Sequence, residues 1–320
     1  MAHDIPATDT RILPLSDEAI AEGAMLIRGG WPIAVPTETV YGLAADATSG
    51  EAVARIYAAK GRPGFNPLIV HVADRAMAET IALFDPLAML LADRFWPGAL
   101  TMVLPLATGS PVASLATAGL PTVALRLPAH PAMRGLIAAA GRPLAAPSAN
   151  ASGSLSPTRA AHVLSTLGGR IPLVIDGGPT ALGLESTIVA PAGDRLRLLR
   201  PGPITAERIA AETGLPVIAS NVAEAIEAPG QLASHYAPAK PLRLDATEAR
   251  GGEWLIGFGA VAGDATLSAT GDPVEAAATL FDRLHEADAT RADAIAVAPI
   301  PPGGLGLALN DRLRRAAAPT

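Results

Sequence analysis

The sequence predicts an α/β protein made of a large N-terminal domain and a smaller α/β domain at its C-terminus. Short apolar runs with the two-residue period of β-strands alternate with segments that have the period of an amphipathic helix. The length of 320 residues exceeds the usual size of one domain. A stretch rich in Pro, Ala and Gly lies between the two regions. The predicted units are therefore residues 12–213, an interdomain linker at residues 214–241, and residues 242–320.

These patterns place the individual elements. In the first domain, helices are predicted at residues 17–28, 50–60, 75–83, 86–95 and 130–140, near 157 and from 205. Strands are predicted there at residues 31–35, 68–72, 100–106, 121–128, 143–146, 173–176, 185–190 and 195–200. Arginine and leucine alternate in the last of these strands, as is typical of an edge strand. The C-terminal domain is predicted to contain strands at 254–258 and 294–298, a helix at 273–286 and a final helix to 318.

The composition excludes several classes of protein. Half of the residues are apolar and 17% are charged, which suffices for a buried core and argues against global disorder. The chain has no cysteine, so disulfides, thiolate nucleophiles and cysteine-bound metal sites are excluded. A net charge of −6 argues against a protein that holds a long nucleic acid through its overall field. Because the sequence shows no signal peptide and no apolar run long enough for a membrane span, we expect a soluble cytoplasmic protein without membrane contact.

The segment from Lys60 to His71 gathers side chains that bind oxygen anions. The chain has two lysines against 22 arginines, so a lysine here is unusual. The ammonium of Lys60 and the guanidinium of Arg62 together suit a polyphosphate, one as a point charge and the other as a fork. Lys60 also continues the inward-facing stripe of its predicted helix. The alternative interpretation is a helix end with two cations near its C-terminal dipole, followed by a Pro-Gly turn.

Two predicted strands carry further candidates. His71 lies on the strand after Asn66, although a single histidine on a strand is commonly a structural residue. Thr122 and Arg126 share one face of the strand at 121–128, where a hydroxyl and a guanidinium would suit a carboxylate or a phosphate. A solvent-facing salt bridge explains Arg126 equally well from this strand alone.

Two hydroxyl-rich loops follow predicted strands. The turn at residues 36–42 has a threonine on each side of Glu38, although such turns commonly satisfy only their own backbone. The loop at residues 147–158 has four serines and an asparagine between a strand and a helix, where N–H groups and hydroxyls can hold an anion. The same loop is compatible with a flexible linker, and it lacks the Walker pattern.

Familiar catalytic motifs are missing from the sequence. It contains no nucleophile elbow, no HExxH, no carboxylate cluster with metal-ligand spacing and no complete dinucleotide or Walker fingerprint. We therefore expect neither covalent catalysis nor a metal held by the protein. The remaining hydroxyls, cations and strand histidine are suited to binding anions and aligning them for reaction.

Five motifs, in order, resemble the YrdC-like family. They are residues 36–42 (PTETVYG), Lys60-x-Arg62-Pro with Asn66-Pro-Leu-x-x-His71, residues 147–158, Glu185-Ser-Thr-Ile188 and Leu199-Arg-Pro-Gly202. The resemblance covers roughly residues 15–205. Ser234-His-Tyr-x-Pro238 and the small terminal domain resemble the longer, two-domain branch of the family, the threonylcarbamoyl-AMP synthases, whose C-terminal domain is of the Sua type.

This resemblance implies a fold and a reaction. The implied fold is a twisted mixed sheet with flanking helices that forms a concave cleft, followed by a small Rossmann-like α/β domain. Family members make L-threonylcarbamoyladenylate from L-threonine, bicarbonate and ATP and release pyrophosphate. Mg²⁺ is implied to accompany ATP and pyrophosphate without protein ligands. A separate transferase complex moves the threonylcarbamoyl group to tRNA, and direct contact with tRNA is expected to be weak at most.

The resemblance also implies roles for single residues. The threonine site is implied at Thr39, His71, Arg126, Ala146 and Ser186. ATP is implied to contact Lys60, Arg62, Asn66, Thr122, Ser148, Ser156, Arg200 and, from the linker, Tyr236. Arg126 would pair with the threonine carboxylate, while the threonine amine captures bicarbonate as a carbamate whose oxygen attacks the α-phosphorus. Ala190 departs from the pattern, because many relatives have an acidic residue there.

Two other functions are compatible with parts of this pattern. A YrdC-like protein could bind RNA without forming an adenylate, but the negative charge and the lack of basic clusters argue against it. A carbamoyl-handling module of the hydrogenase-maturation type is the second alternative. Such modules belong to larger chains with zinc-finger elements, and this chain has no cysteine.

Overall fold

The structure of the protein is a computed structural model that describes residues 9–64, 66–219, 227–229 and 235–318. Its helices are α1 (Asp17–Arg28), α2 (Gly50–Lys60), α3 (Arg75–Glu79), α4 (Pro86–Phe95), α5 (Pro131–Ala140), α6 (Ala160–Leu167), α7 (Ala206–Thr213), α8 (Pro273–Ala289) and α9 (Gly306–Ala316). Its strands are β1 (Arg11–Pro14), β2 (Ile33–Val35), β3 (Gly42–Asp46), β4 (Ile69–His71), β5 (Leu100–Pro105), β6 (Thr122–Arg126), β7 (Leu144–Ala145), β8 (Leu173–Asp176), β9 (Thr187–Ala192), β10 (Arg195–Arg200), β11 (Val217–Ala219), β12 (Leu242–Arg243), β13 (Glu253–Gly257), β14 (Ala265–Thr266) and β15 (Ala294–Val297). Within the described ranges, no helix is long and apolar enough to cross a membrane.

A mixed sheet of eleven described strands forms the larger part of the molecule. The strand order is β1-β8-β2-β3-β7-β4-β6-β5-β9-β10-β11. The sheet contains parallel pairs, such as β4 with β6, and antiparallel pairs, such as β5 with β6. Helices α1 and α5 pack with β2 and β8 around one apolar cluster, and α2 and α4 contribute to a second. The α/β class and the large mixed sheet predicted from the sequence are confirmed.

The register of the central strands brings two predicted site residues together. β4 and β6 run parallel, and His71 is the register partner of Arg126. Each of these residues is the last of its strand. Because the carboxyl ends of parallel strands meet at one edge of a sheet, both side chains lie where ligands commonly bind in α/β folds.

Two glycines fix turns beside the site. α2 ends at Gly61 in the left-handed conformation (φ 61°), so the chain reverses directly before Arg62. At Gly202, a Cβ atom would lie 2.5–2.8 Å from backbone atoms of residues 185–187. Only glycine can occupy that position without moving the backbone, and the turn after β10 therefore packs directly against Glu185 and Ser186.

Several elements differ from the prediction. β10 is not an edge strand, because β9 and β11 flank it on its two sides. Its Arg200 end is buried rather than exposed, so the alternation of charge did not mark a solvent face. β3 was not predicted, and β11 lies within the stretch predicted as a linker. The helix expected near residue 157 begins at Ala160.

The C-terminal unit is a small parallel sheet with two helices. Its strand order is β12-β15-β13-β14, and α8 and α9 pack against it. The apolar core of this unit also includes Leu155, Leu184 and Tyr236 from the preceding chain. The Tyr236 ring lies 5.8 Å from the ring of Phe281 in α8. The two parts of the molecule therefore share one core beside the site.

Candidate active site

A small cavity lies at the carboxyl ends of β4 and β6. Its volume is about 40 Å³. Nine residues predicted from the sequence line it, namely Thr39, Arg62, His71, Arg126, Ala146, Ser148, Ser186, Arg200 and Tyr236. The wall also contains Thr37, Val40, Gly42, Ile69, Pro147, Glu185, Pro229 and His235. Among these described lining residues, three guanidinium groups face one carboxylate, so the cavity favours an anion.

Arg126 is held rigidly on one side of the cavity. It donates from Nη1 to Thr39 Oγ1 (3.0 Å), from Nη2 to Glu38 Oε1 (2.6 Å) and from Nε to the Gly98 carbonyl (3.1 Å). Burial would raise the pKa of Glu38, but the charge of Arg126, the hydrogen bond from Arg126 and backbone hydrogen bonds together outweigh it and lower that pKa to about 2. Three of the five N–H groups of Arg126 are thus used, which leaves two for a ligand.

His71 is a neutral imidazole on the same side of the cavity. Burial and the nearby charge of Arg126 lower the pKa of His71 to about 3. Its Nδ1 atom is buried and has no hydrogen-bond partner among the described residues. A buried polar atom without a partner on a cavity wall indicates a position where a ligand completes the hydrogen bonding.

Arg200 and Ser186 form another part of the wall. Arg200 donates from Nε to the Ser186 carbonyl (3.0 Å), from Nη2 to Ser186 Oγ (3.1 Å) and from Nη1 to the Pro229 carbonyl (3.4 Å). Ser186 Oγ also lies 2.7 Å from Thr101 Oγ1. No described carboxylate is bonded to Arg200, so its positive charge remains available in the cavity.

Arg62 supplies a further cation. It donates from Nε to the Asn66 carbonyl (3.3 Å) and from Nη2 to the Pro67 carbonyl (3.1 Å). Burial lowers the pKa of Arg62 to about 10, and the charge of Arg200 acts in the same direction. Two buried guanidinium groups that face one cavity without a bonded carboxylate are a site for an anion with several charges.

The structure places Lys60 beside the loop that carries Ser148, and its role toward ATP stays a prediction. Lys60 is not on the cavity wall, and its Nζ atom donates to the Ser148 carbonyl (2.6 Å), the Asn150 carbonyl (2.5 Å) and Asn150 Oδ1 (3.4 Å). Burial and the charge of Arg62 lower the pKa of Lys60. Lys60 therefore holds the serine-rich loop that carries Ser148 against the end of α2.

The other predicted residues outside the wall are Asn66, Thr122 and Ser156. Asn66 is buried and its Oδ1 atom has no partner among the described residues. Thr122 begins β6, at the opposite end of the strand from Arg126. Ser156 is fully buried and donates from Oγ to Glu185. Their roles toward ATP stay predictions.

Glu185 and Arg312 were not predicted as site residues. Glu185 lines the cavity, and its Oε2 atom accepts from Arg312 Nε at 2.7 Å. Burial would raise the pKa of Glu185, but the guanidinium groups of Arg312 and Arg200 lower it. Glu185 belongs to one of the motifs quoted above, whereas no sequence pattern marks Arg312.

Residues from the far end of the linker close the cavity. Tyr236 is 1% exposed and adopts a left-handed backbone (φ 65°). Its ring contacts the His235 ring at 4.0 Å in an edge arrangement. The backbone N–H of His235 donates to the Arg315 carbonyl of α9 at 3.3 Å. Ser234, the first residue of this motif, lies outside the described residues.

No metal centre accompanies these groups in the described part of the chain. That part contains no group of three or more His, Cys, Asp or Glu residues that could hold a metal ion. Glu38 and Glu185, the carboxylates beside the cavity, are already bonded to arginines. The donor set therefore suits an anion rather than a resident cation.

Comparison with known families covers nearly the whole chain. The family model described as telomere recombination matches residues 25–202. The model described as the C-terminal domain of threonylcarbamoyl-AMP synthase matches residues 204–318. The order of the two matches agrees with the order of the large and small units.

Similar proteins share most of this length. The chain is 40% identical to the threonylcarbamoyl-AMP synthase of Bacillus subtilis (strain 168), over 95% of this chain and 94% of that protein. It is 41% identical to the threonylcarbamoyl-AMP synthase of Pyrococcus abyssi (strain GE5 / Orsay), over 92% of each chain. The crystal structure of P. abyssi Sua5 complexed with L-threonine superposes with a TM-score of 0.88 and 38% identity, over 97% of this chain and 98% of that one. The chain therefore belongs to the threonylcarbamoyl-AMP synthase family of nucleotidyltransferases.

Proposed function

We propose that the protein converts L-threonine, bicarbonate and ATP into L-threonylcarbamoyl-AMP and pyrophosphate. The observation that carries this proposal is the cavity itself, in which three buried guanidinium groups and a neutral imidazole surround hydroxyl groups. The reacting groups are anions, and alignment with charge neutralisation drives such a reaction without a protein nucleophile. The names of the relatives support the same activity.

L-threonine binds on the side of β4 and β6. The two remaining N–H groups of Arg126 take its carboxylate, and the unpaired Nδ1 of His71 lies on the same wall. Thr39 and Ser186 supply hydroxyls, and Ala146 leaves room for the side chain. Because His71 is neutral, it does not compete with Arg126 for the carboxylate.

ATP binds between Arg62 and Arg200. Their guanidinium groups neutralise the triphosphate, and Ser148 and Tyr236 complete this side of the wall. Sites for small molecules usually span roughly 300–1,000 Å³, whereas the cavity measures about 40 Å³. Binding of both substrates therefore requires part of the wall to move outward.

The chemistry follows from this arrangement. The threonine amine attacks bicarbonate and gives a carbamate and water. A carbamate oxygen then attacks the α-phosphorus, and pyrophosphate leaves with the Mg²⁺ that accompanied ATP. The protein aligns the carbamate with the phosphate chain and neutralises the charge that develops on the leaving group. A separate complex then transfers the threonylcarbamoyl group to tRNA.

A reconstituted assay tests the proposal. The purified protein is incubated with L-threonine, bicarbonate, ATP and Mg²⁺, and pyrophosphate and the adenylate are measured while each substrate is omitted in turn. Release that depends on all three substrates supports the proposal, and Arg62→Met is expected to abolish it while the protein stays folded. Pyrophosphate release that does not need threonine would refute it. Tight tRNA binding without ATP turnover would instead favour the RNA-binding alternative.

A further inference from the structure

Arg312 belongs to the C-terminal unit, but its guanidinium group lies against the catalytic part of the chain. It is on α9, and its side chain is fully buried. It donates from Nε to Glu185 Oε2 (2.7 Å), from Nη2 to the Pro201 carbonyl (3.0 Å) and from Nη1 to Asp311 Oδ2 (2.7 Å). Of these acceptors, Glu185 lines the cavity and Pro201 directly follows Arg200, which also lines it.

The partner of Arg312 is a carboxylate in a poor position for binding ATP. Glu185 lines the cavity together with Arg62 and Arg200. Arg200 is bonded to the oxygens of Ser186, the residue directly after Glu185. A negative charge placed there repels phosphate groups and attracts the same guanidinium groups that a triphosphate needs.

Two hydrogen bonds occupy both oxygens of this carboxylate, although its charge and that of Arg200 still attract each other. One oxygen of Glu185 accepts from Ser156 Oγ and the other from Arg312 Nε. No described carboxylate is bonded to Arg62 or Arg200. Glu185 is therefore hydrogen-bonded to Arg312, and the described hydrogen bonds of Arg62 and Arg200 go to carbonyl and hydroxyl oxygens rather than to a carboxylate.

We propose that Arg312 is a positioning residue of the ATP site, which binds Glu185 and thereby keeps Arg62 and Arg200 free for the triphosphate. This inference rests on the proposed function, because it assumes that the two guanidinium groups bind ATP. It also gives the C-terminal unit a role in the reaction. Without α9, the buried carboxylate has no cation of its own, and it pairs with Arg200 or Arg62 instead.

The contact with Tyr236 adds to this role. The guanidinium carbon of Arg312 lies 5.1 Å from the centre of the Tyr236 ring, within the range of a cation–π contact. The same guanidinium group therefore contacts a residue of the cavity wall on one side and Glu185 on the other. Removal of Arg312 is expected to weaken ATP binding more than threonine binding. The proposed threonine ligands Arg126 and His71 have no bond to Arg312.

A double-mutant cycle tests the proposal. Calorimetry with ATP and Mg²⁺, in the absence of threonine and bicarbonate, gives the Kd of the wild type, Arg312→Met, Glu185→Gln and the double variant. We expect Arg312→Met to weaken ATP binding at least tenfold and Glu185→Gln to change it less than threefold. The double variant is expected to lie within threefold of Glu185→Gln, because no charge is then left to capture Arg200. Arg314→Met, an exposed neighbour on α9, is the matched control and is expected to bind ATP like the wild type.

The outcomes separate positioning from general support of the fold. A double variant that binds ATP as weakly as Arg312→Met overturns the proposal, and so does an Arg312→Met variant that binds like the wild type. If circular dichroism shows that Arg312→Met does not fold, the proposal is still tested by comparing the Kd for ATP of the double variant with that of Glu185→Gln. In the turnover assay, we expect Arg312→Met to raise the KM for ATP at least tenfold and the KM for threonine less than threefold. ATP binding by the wild type without threonine-dependent turnover would contradict the proposed function and leave this cycle valid.

Discussion

Replacement of Glu38 by glutamine removes a charge from the ion pair that holds Arg126. The two side chains are joined at 2.6 Å and are 13% and 4% exposed, so solvent screens the pair little. The pKa of Glu38 is lowered from 4.5 to about 2. At about 1.36 kcal/mol for each tenfold change in the protonation equilibrium, this difference corresponds to about 3 kcal/mol of folding free energy.

The lowered pKa of Glu38 determines how its contribution to stability changes with pH. Because the folded pKa is lower than the unfolded one, this stability is present above pH 4.5 and is lost as the pH falls toward 2. Glu38→Gln is therefore expected to lower the free energy of unfolding by about 3 kcal/mol at pH 7, and by about 2 kcal/mol at pH 3.5. Urea denaturation followed by far-UV circular dichroism at both pH values measures the two differences.

A matched control separates this pair from an exposed one. Glu51 is paired with Arg55 in α2, but its side chain is 77% exposed. Glu51→Gln is expected to cost about 0.5 kcal/mol or less. Equal losses in the two variants, or a loss in Glu38→Gln that does not change with pH, would refute the reasoning.

Three further predictions concern other groups of the site. Lys60→Met is expected to lower the free energy of unfolding by about 1–3 kcal/mol in a urea titration, because it removes the described donor of the Asn150 carbonyl and leaves the Ser148 carbonyl with the Asn150 N–H alone. A loss below about 1 kcal/mol would contradict this. The pKa of His71 is lowered to about 3, so the stability from its neutral form is present above the unfolded value near 6.5 and lost as the pH falls toward 3. The thermal midpoint of His71→Asn is accordingly expected to fall less than that of the wild type between pH 6.5 and 4, and an equal fall would contradict the burial argument. Removal of Mg²⁺ with EDTA is expected to abolish pyrophosphate release without lowering the thermal midpoint, since the described residues contain no metal-binding cluster; a lower midpoint would indicate a metal held by the protein.

Local sequence patterns predicted most of the helices and the central strands. α1, α2 and α4 begin after Ser16, Ser49 and Asp85, whose side chains accept a backbone hydrogen bond from the first turn. β4, β5 and β6 consist largely of apolar residues that favour strands. Their bounds differ from the predicted ones by two residues or fewer.

The strands that were not predicted lack such a local signal. β3 has the sequence GLAAD, and its glycine and alanines have little preference for a strand. It forms because β2 and β7 pair with it on its two sides, which is a tertiary effect. β10 was predicted as a strand, but its edge position was wrong, because Arg197 and Arg200 are bonded to other parts of the chain and β11 pairs with its second side.

In the site, too, local sequence patterns indicated some residues, whereas contacts between distant parts of the chain were not predictable. Alternation with apolar neighbours placed His71 and Arg126 each on one face of a predicted strand, and the structure brings both residues to one cavity. The apolar stripe of α2 correctly predicted that the Lys60 side chain points inward. Its amine, however, contacts the carbonyls of the 148–150 loop and does not line the cavity. Arg312 is 127 positions from Glu185, and no periodicity links residues so far apart.

The hydrogen bonding of both lysine amines has a practical consequence for chemical labelling. Lys60 Nζ contacts three acceptors of the 148–150 loop, and Lys240 Nζ donates to the carbonyls of Ala287 (2.9 Å) and Thr290 (2.8 Å). Acylating reagents need an amine with an accessible lone pair, so the folded chain is expected to protect both lysines. Lys60 would become reactive only when the loop that carries Ser148 moves away from α2. Mass spectrometry of acylated Lys60, with and without substrates, can therefore follow the motion of that loop with no added probe.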